Sequence, residues 1–190
     1  MTNRMNFETA LDEVSTGSAG GAPFLIAFGL SLFLTGLISF SLTERAAALI
    51  LLFQGNLALP LAFWLERRMG SGKMSADNPL KTLSIQLAMT QVLALPAVLI
   101  AYALAPWATA GAFAAIGGGH FLPYAWLQRS KAYMWLGIAV SAGSYVLTMA
   151  LKEQSFAWVL FYVAACYWTA TPLVYRRAHA LTQSRLAVAL

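Results

Sequence analysis

Six long apolar runs constrain this sequence more than any other feature. A helix that crosses a bilayer needs about 20 mostly apolar residues, because each residue rises about 1.5 Å and the hydrocarbon layer is about 30 Å thick. Of the 190 residues, 59% are hydrophobic and only 10% are charged, which is typical of a membrane protein. We predict six transmembrane helices, over residues 23–40, 46–65, 83–104, 107–127, 132–151 and 156–175.

The runs are continuously apolar and do not alternate with polar residues, as the strands of a membrane barrel would. A helix satisfies its own backbone hydrogen bonds in lipid, so helices are the expected form. The predicted fold is therefore all-α, a six-transmembrane-helix bundle. We divide the chain into an N-terminal amphipathic segment with a linker (1–22), the transmembrane domain (23–177) and a tail (178–190).

The basic residues predict the orientation, because short loops rich in Lys and Arg stay in the cytoplasm. With six spans, ten of the 12 basic residues fall on the side of both termini, and only Arg45 and Lys152 fall on the other. We therefore expect a multi-pass protein of the bacterial inner membrane with both termini cytoplasmic. The ten are Arg4, Arg67, Arg68, Lys73, Lys81, Arg129, Lys131, Arg176, Arg177 and Arg185.

The net charge of +5 is accounted for by this orientation signal and by attraction to lipid headgroups, so membrane lipids are expected partners and nucleic acid is not. Cys166 is the only cysteine and lies inside the sixth run, which excludes an intramolecular disulfide and a thiolate cluster. We expect no metal site and no cofactor.

The N-terminal segment carries apolar residues at helical spacing and acidic residues on the opposite face. Such a helix can lie on the cytoplasmic membrane surface or pack on the basic loops of the protein itself. We interpret Ser15–Gly21, which follows, as a flexible linker. The apolar residues are Phe7, Ala10, Leu11 and Val14, and the acidic residues are Glu8, Asp12 and Glu13.

Four prolines fall inside the predicted spans, and proline removes a helical hydrogen bond and tends to kink a helix. We therefore predict kinks at Pro60, Pro96, Pro123 and Pro172.

Small residues in the fourth and fifth spans indicate close helix contacts. Gly111, Ala115 and Gly119 form one such face, and Gly137 and Ser141 form another.

No Asp, Glu, Lys or Arg lies in the middle of a predicted span, so the carboxylates of many ion-coupled transporters are missing. Neutral polar residues remain. Gly117, His120, Tyr124 and Gln128 recur at intervals of three, four and four, which places them on one helix face beside Pro123. A polar face is costly against lipid, so we expect it to point into the bundle.

At about 1.5 Å per residue, His120 lies roughly 10 Å inside the cytoplasmic boundary. Other polar residues fall at comparable depths or nearer mid-membrane. We hypothesise a ligand-binding cavity in the cytoplasmic half, with no catalytic residue assigned. The alternative is that these groups only join helices, at about 0.6 kcal/mol each. The cavity would be lined by Asn56, Gln86, Gln91, His120, Tyr124 and Thr169.

The stretch from Asn78 to Tyr133 contains NPL, a Gln followed by LP, then G-x-HFLPY-x-WL and S-K-x-Y. It resembles a bacterial family of small multi-pass membrane proteins of unknown function. The family shows Asn-Gln where this chain has Thr90-Gln91. The resemblance implies the six-helix fold but no activity, and it singles out Gln91, Pro96, His120, Pro123, Tyr124 and Trp126.

Three functions follow as hypotheses. The protein binds or transports a small neutral or weakly polar molecule at His120, or it is a membrane-embedded enzyme acting on a lipid or isoprenoid, with His120 as general base. The third is a structural or assembly partner of a membrane complex. The sequence leaves the ligand and the oligomeric state open.

Overall fold

The computed structural model describes residues 6–70 and 74–188, and every regular element within them is a helix. Two basic residues used for the orientation, Arg4 and Lys73, lie outside the described residues, as does the side chain of Arg185. The α-helices of the described part are α1 (Phe7–Gly17), α2 (Ala22–Ser39), α3 (Glu44–Phe53), α4 (Gly55–Met69), α5 (Leu80–Leu104), α6 (Thr109–Gly119), α7 (Phe121–Leu127), α8 (Lys131–Leu151) and α9 (Ser155–Val188).

Four helical stretches are long enough and apolar enough to cross a membrane. The last has 54 residues and contains α8 and most of α9, which a short 3-10 turn at Lys152–Gln154 joins. The predicted fourth run is divided between α6 and α7. The protein is thus all-helical, and its apolar helices indicate a membrane protein. The four stretches are Ala19–Ser39, Glu44–Met69, Leu80–Leu104 and Lys131–Ser184.

The helices are interrupted at Gln54, between α3 and α4, and at His120, between α6 and α7. At the first break the Gln54 N–H donates to Leu51 O at 3.4 Å, a bond over three residues. The helices continue through the prolines themselves, so the breaks precede two of the predicted kink positions. Pro60, Pro96, Pro123 and Pro172 all lie inside helices.

The core lies where α2, α8 and α9 meet. Leu32, Val140 and Leu160 are almost fully buried there. The helices α8 and α9 form a hairpin, across which the Tyr162 hydroxyl donates to Ala139 O at 2.9 Å. A strongly apolar α2 can pack this closely on α9 because Gly29 leaves room for an indole ring of that helix.

Small residues join α6 to α8. Ser141 Oγ donates to Ala115 O at 2.8 Å, and a Cβ on Gly118 would lie 2.8 Å from Gly137 O. The prediction that Gly119 shares this face is wrong, because a Cβ there would meet no atom within 4 Å. The contact face of α6 instead includes Ala115 and Gly118, which are three residues apart.

The interpretation of Ser15–Gly21 as a flexible linker is also wrong. Ser15 is buried in the last turn of α1, and a 3-10 turn follows at Ala19–Gly21. The Tyr133 hydroxyl donates to Gly20 O at 2.5 Å, and Gly20 has a φ of 65°, which favours glycine. The segment is therefore a packed turn that fixes α1 against the bundle.

Candidate functional site

His120 lies at the break between α6 and α7. The glycines before it weaken the end of α6, and Pro123 lies in the first turn of α7, where its missing N–H is tolerated. The His120 Nδ1 lies 3.1 Å from Gly117 O. Because a carbonyl oxygen can only accept, Nδ1 carries the hydrogen, and in a neutral ring Nε2 is then an acceptor. No described residue bonds to Nε2.

Aromatic rings surround the half-buried imidazole. The centroid of its ring lies 4.7 Å from that of Phe121 and 5.0 Å from that of Tyr124. Phe121 in turn contacts the buried rings of Tyr133, at 5.8 Å, and Tyr167, at 5.5 Å. One side of His120 is thereby closed by a packed aromatic cluster that links α7, α8 and α9.

Near His120, α5 approaches both α6 and α7. The Oε1 atom of Gln91 lies 3.8 Å from the position of a Cβ on Gly117, the residue that binds the imidazole. The Tyr124 hydroxyl donates to Ser84 O at 3.2 Å. Of the predicted cavity residues, Tyr124 therefore contacts His120, and Gln91 lies against Gly117, three residues before it.

The structure does not bring the other three predicted site residues to this place. Asn56, Gln86 and Thr169 are exposed on α4, α5 and α9, and Thr169 Oγ1 donates to Cys166 O at 3.0 Å. Residues at one depth share a cavity only if they also point the same way around their helices, and these three point outwards. The expectation of one cavity lined by all six residues is corrected to a group of three.

Two of the open depressions in the described part of the chain are sizeable, and none of the six residues lines either. One, of about 350 Å³, lies between the end of α2 and the start of α9 near Glu44 and Glu153. The other, of about 250 Å³, lies near Met69 and His179. His120 itself is half-buried, and its Nε2 atom keeps some accessible surface.

The helix α5 packs loosely on the rest of the bundle. Of its 25 residues, only Leu80, at its start, and Val98, six residues before its end, are buried. Its middle turns touch α6 through half-buried residues such as Gln91. The part of α5 around Gln91 therefore has little apolar contact to lose on moving.

The N-terminal helix α1 holds the start of α5. Ala10, Leu11 and Val14 bury their side chains against Leu80 and Leu127. This is the apolar face that the sequence predicts. It packs on the protein itself.

Polar bonds reinforce this contact. The Asn78 Nδ2 atom donates to Glu13 Oε2 at 2.6 Å and to Ala10 O at 3.1 Å, and Asn78 Oδ1 accepts from the Leu80 N–H at 2.9 Å. Ser75 Oγ donates to Glu13 Oε1 at 2.5 Å. Asn78 thus joins the start of α5 to α1. We name Glu13, Ser75 and Asn78 the N-terminal clamp.

A second set of contacts ties α1 to the end of α7. Arg129 forms ion pairs with Glu8 and, at 3.4 Å, with Asp12. The Phe7 and Trp126 rings lie 5.7 Å apart. The predicted acidic face of α1 therefore neutralises a basic loop of the same chain.

Several residues around His120 were missed by sequence reasoning. Phe121 and Tyr133 look like ordinary core aromatics in the sequence, and Ser84 contributes only a backbone carbonyl. The positions of Phe121 in the HFLPY motif and of Tyr133 in the S-K-x-Y motif were the available signals. Among the described residues, no three His, Cys, Asp or Glu side chains are grouped so that they could hold a metal ion.

The comparisons with known proteins agree with the resemblance noted in the sequence. No curated protein and no solved structure matches the chain significantly. Residues 7–177, which include every element of this site, match the model of a family of unknown function, DUF7010. The predicted membership is confirmed, and the chain belongs to DUF7010, a family whose function is unknown.

Proposed function

We propose that this protein binds a small neutral or weakly polar molecule at His120 and transports it or holds it in the membrane. The observation that carries the proposal is the unbonded Nε2 of a half-buried imidazole whose neighbours Gly117 and Tyr124 contact a loosely packed helix. A hydrogen-bond acceptor inside a membrane protein is costly unless a partner binds it. A ligand hydroxyl or N–H supplies that partner, and the Gln91 amide beside it offers a second.

The ligand enters between α5 and the α6–α7 pair. The start of α5 is fixed by the N-terminal clamp, and its last third is fixed by the buried Val98. Bending between these points separates Gln91 from Gly117 and exposes His120. The entry lies near the cytoplasmic end, because His120 is close to the Arg129 loop.

Among the described residues, no charged side chain bonds to His120 or stacks on it, which favours a neutral ligand. Its ring contacts are Phe121 and Tyr124, and its bond is to a carbonyl. An ion would lose its hydration here without gaining a partner of opposite charge. The same lack of an orienting carboxylate disfavours an enzyme with His120 as general base.

A thiol placed on the inner face of α5 tests the proposal. Ala94 is half-buried one turn after Gln91, and Ala97 on the same helix is exposed. In a Cys166→Ser background we expect a small-molecule extract to slow the reaction of Ala94→Cys with a lipid-soluble maleimide at least threefold. The ligand holds α5 closed and occupies the space in front of the thiol.

The matched variant Ala97→Cys should react at one rate with and without the extract. Adding His120→Ala should abolish the protection of Ala94→Cys. Equal protection at both positions, or protection that survives His120→Ala, would show that the extract acts elsewhere, and no protection by any fraction would reject the proposal.

We further propose that the six helical rods cross the bacterial cytoplasmic membrane six times, with both termini inside. The rods are α2, α3–α4, α5, α6–α7, α8 and α9. Support comes from the hairpin of α8 and α9, since α9 alone has 34 residues. The basic residues around α7 and in α9 also favour this orientation.

Cysteine labelling tests this topology. Glu153 in the α8–α9 turn and Ser184 near the end of α9 are both exposed. In a Cys166→Ser background, a membrane-impermeant maleimide should label Glu153→Cys in intact spheroplasts, and Ser184→Cys only after lysis. Labelling of both positions in intact cells, or of Ser184→Cys alone, would contradict the topology.

A further inference from the structure

Asn56 places an amide on the outer surface of the protein at mid-membrane. It stands near the centre of the stretch Glu44–Met69, about 18 Å from one end and about 20 Å from the other at 1.5 Å per residue. The residue is exposed, and its side chain makes no hydrogen bond with the described part of the chain. Its immediate neighbour Leu57 is 79% exposed. The amide therefore faces lipid unless another molecule covers it.

The other outward-facing polar residues do not have this difficulty. Thr169 bonds to a carbonyl of its own helix. Gln86 lies about 9 Å from the start of α5, and its longer side chain can bend towards the headgroups. The short Asn56 side chain cannot reach water from the bilayer centre. An unpaired amide in hydrocarbon is costly, so Asn56 calls for a partner.

The backbone beside Asn56 offers a second group that lacks its usual helical partner. Pro60, inside α4, has no N–H to donate to the carbonyl of Asn56, four residues earlier.

We propose that Asn56 pairs with the same residue of a second copy of this chain across a two-fold axis along the membrane normal. A carboxamide both donates and accepts, so two symmetry-related amides satisfy each other. The carbonyl freed by Pro60 supplies a further acceptor on each copy. The surface formed by Phe53, Asn56, Leu57 and Pro60 on α3 and α4 is the dimer interface.

This interface is separate from the His120 site. The α4 helix packs on α2 and the Ala19–Gly21 turn, whereas His120 lies between α6 and α7. Dimerisation and ligand binding can therefore fail independently.

Disulfide cross-linking tests the interface without altering Asn56. Leu57, at 79% exposure beside Asn56, is matched by Leu93, at 78% exposure on α5. In a Cys166→Ser background, oxidation in lipid vesicles should convert most of the purified Leu57→Cys variant into a dimer. The Leu93→Cys variant should form less than a tenth as much. Equal yields from the two variants, or no dimer from Leu57→Cys, would overturn the proposal.

A second measurement tests the role of the amide. Energy transfer between donor- and acceptor-labelled chains, followed on dilution with lipid, gives the dimer dissociation constant. We expect Asn56→Leu to raise it at least tenfold and Gln86→Leu, which removes another exposed carboxamide, to leave it unchanged. Dimers that persist in Asn56→Leu, or wild-type chains that stay monomeric, would reject the pairing. A monomeric chain that binds a different membrane protein through Asn56 would also reject the pairing.

Discussion

Replacing Gly118 by alanine is expected to lower the free energy of unfolding by about 1–3 kcal/mol, as overpacking does in a close-packed interior. The new Cβ would lie 2.7 Å from the Ser141 N and 2.8 Å from Gly137 O, both backbone atoms. Rotating a side chain cannot relieve this contact, so α6 and α8 must separate. Because α7 follows α6 directly after the His120 break and also packs on α8, we expect looser packing of α7 as well. The midpoint of thermal unfolding in detergent, monitored as the loss of the monodisperse peak, measures the change in stability.

The neighbouring glycine is a matched control. A Cβ on Gly119 would meet no atom within 4 Å, and alanine is about 1 kcal/mol more favourable than glycine in a helix interior. Gly119→Ala should therefore leave the midpoint unchanged or raise it slightly. Equal losses for the two variants would show that the α6–α8 contact is not as close as the structure describes.

The variant Asn78→Ala is expected to lower the free energy of unfolding by about 2–3 kcal/mol. Asn78 is 4% exposed, and its amide makes bonds to Glu13, to Ala10 O and to the Leu80 N–H. Its removal leaves the Glu13 carboxylate with one partner fewer and leaves the first turn of α5 uncapped. Compared with the wild type, the variant should show a larger increase in hydrogen-exchange rate in α1 and at the start of α5 than in α8 or α9.

The adjacent Asp77 provides the comparison, because its side chain is exposed. We expect Asp77→Ala to change the unfolding free energy by less than about 0.5 kcal/mol, as surface substitutions usually do. If Asn78→Ala leaves exchange in α1 as slow as in the wild type, the N-terminal clamp does not hold this helix.

Much of the fold is readable from the sequence because lipid leaves few choices. Long apolar runs must form helices, and α2, α5 and α8 follow three of them. The amphipathic spacing of Ala10, Leu11 and Val14 likewise identifies the buried face of α1. The break at Gln54 could not be predicted, because the nearest proline lies six residues later.

The candidate site was predicted only in part, for a geometric reason. The spacing of Gly117, His120 and Tyr124 fixes their common direction, and the structure keeps them together across the break. Depth along a span says nothing about the direction in which a side chain points around its helix. Asn56 and Gln86 therefore appeared to belong to the cavity, although both are exposed.

Native mass spectrometry of the protein released from its own membrane lipids tests the ligand site most directly. Wild type and His120→Ala should be compared, with His179→Ala as a control, since His179 is the other histidine and lies exposed on α9. We predict that a small molecule accompanies the wild type and His179→Ala and is lost in His120→Ala. A bound molecule retained by His120→Ala, or none on any of the three folded proteins, would contradict a ligand site at His120.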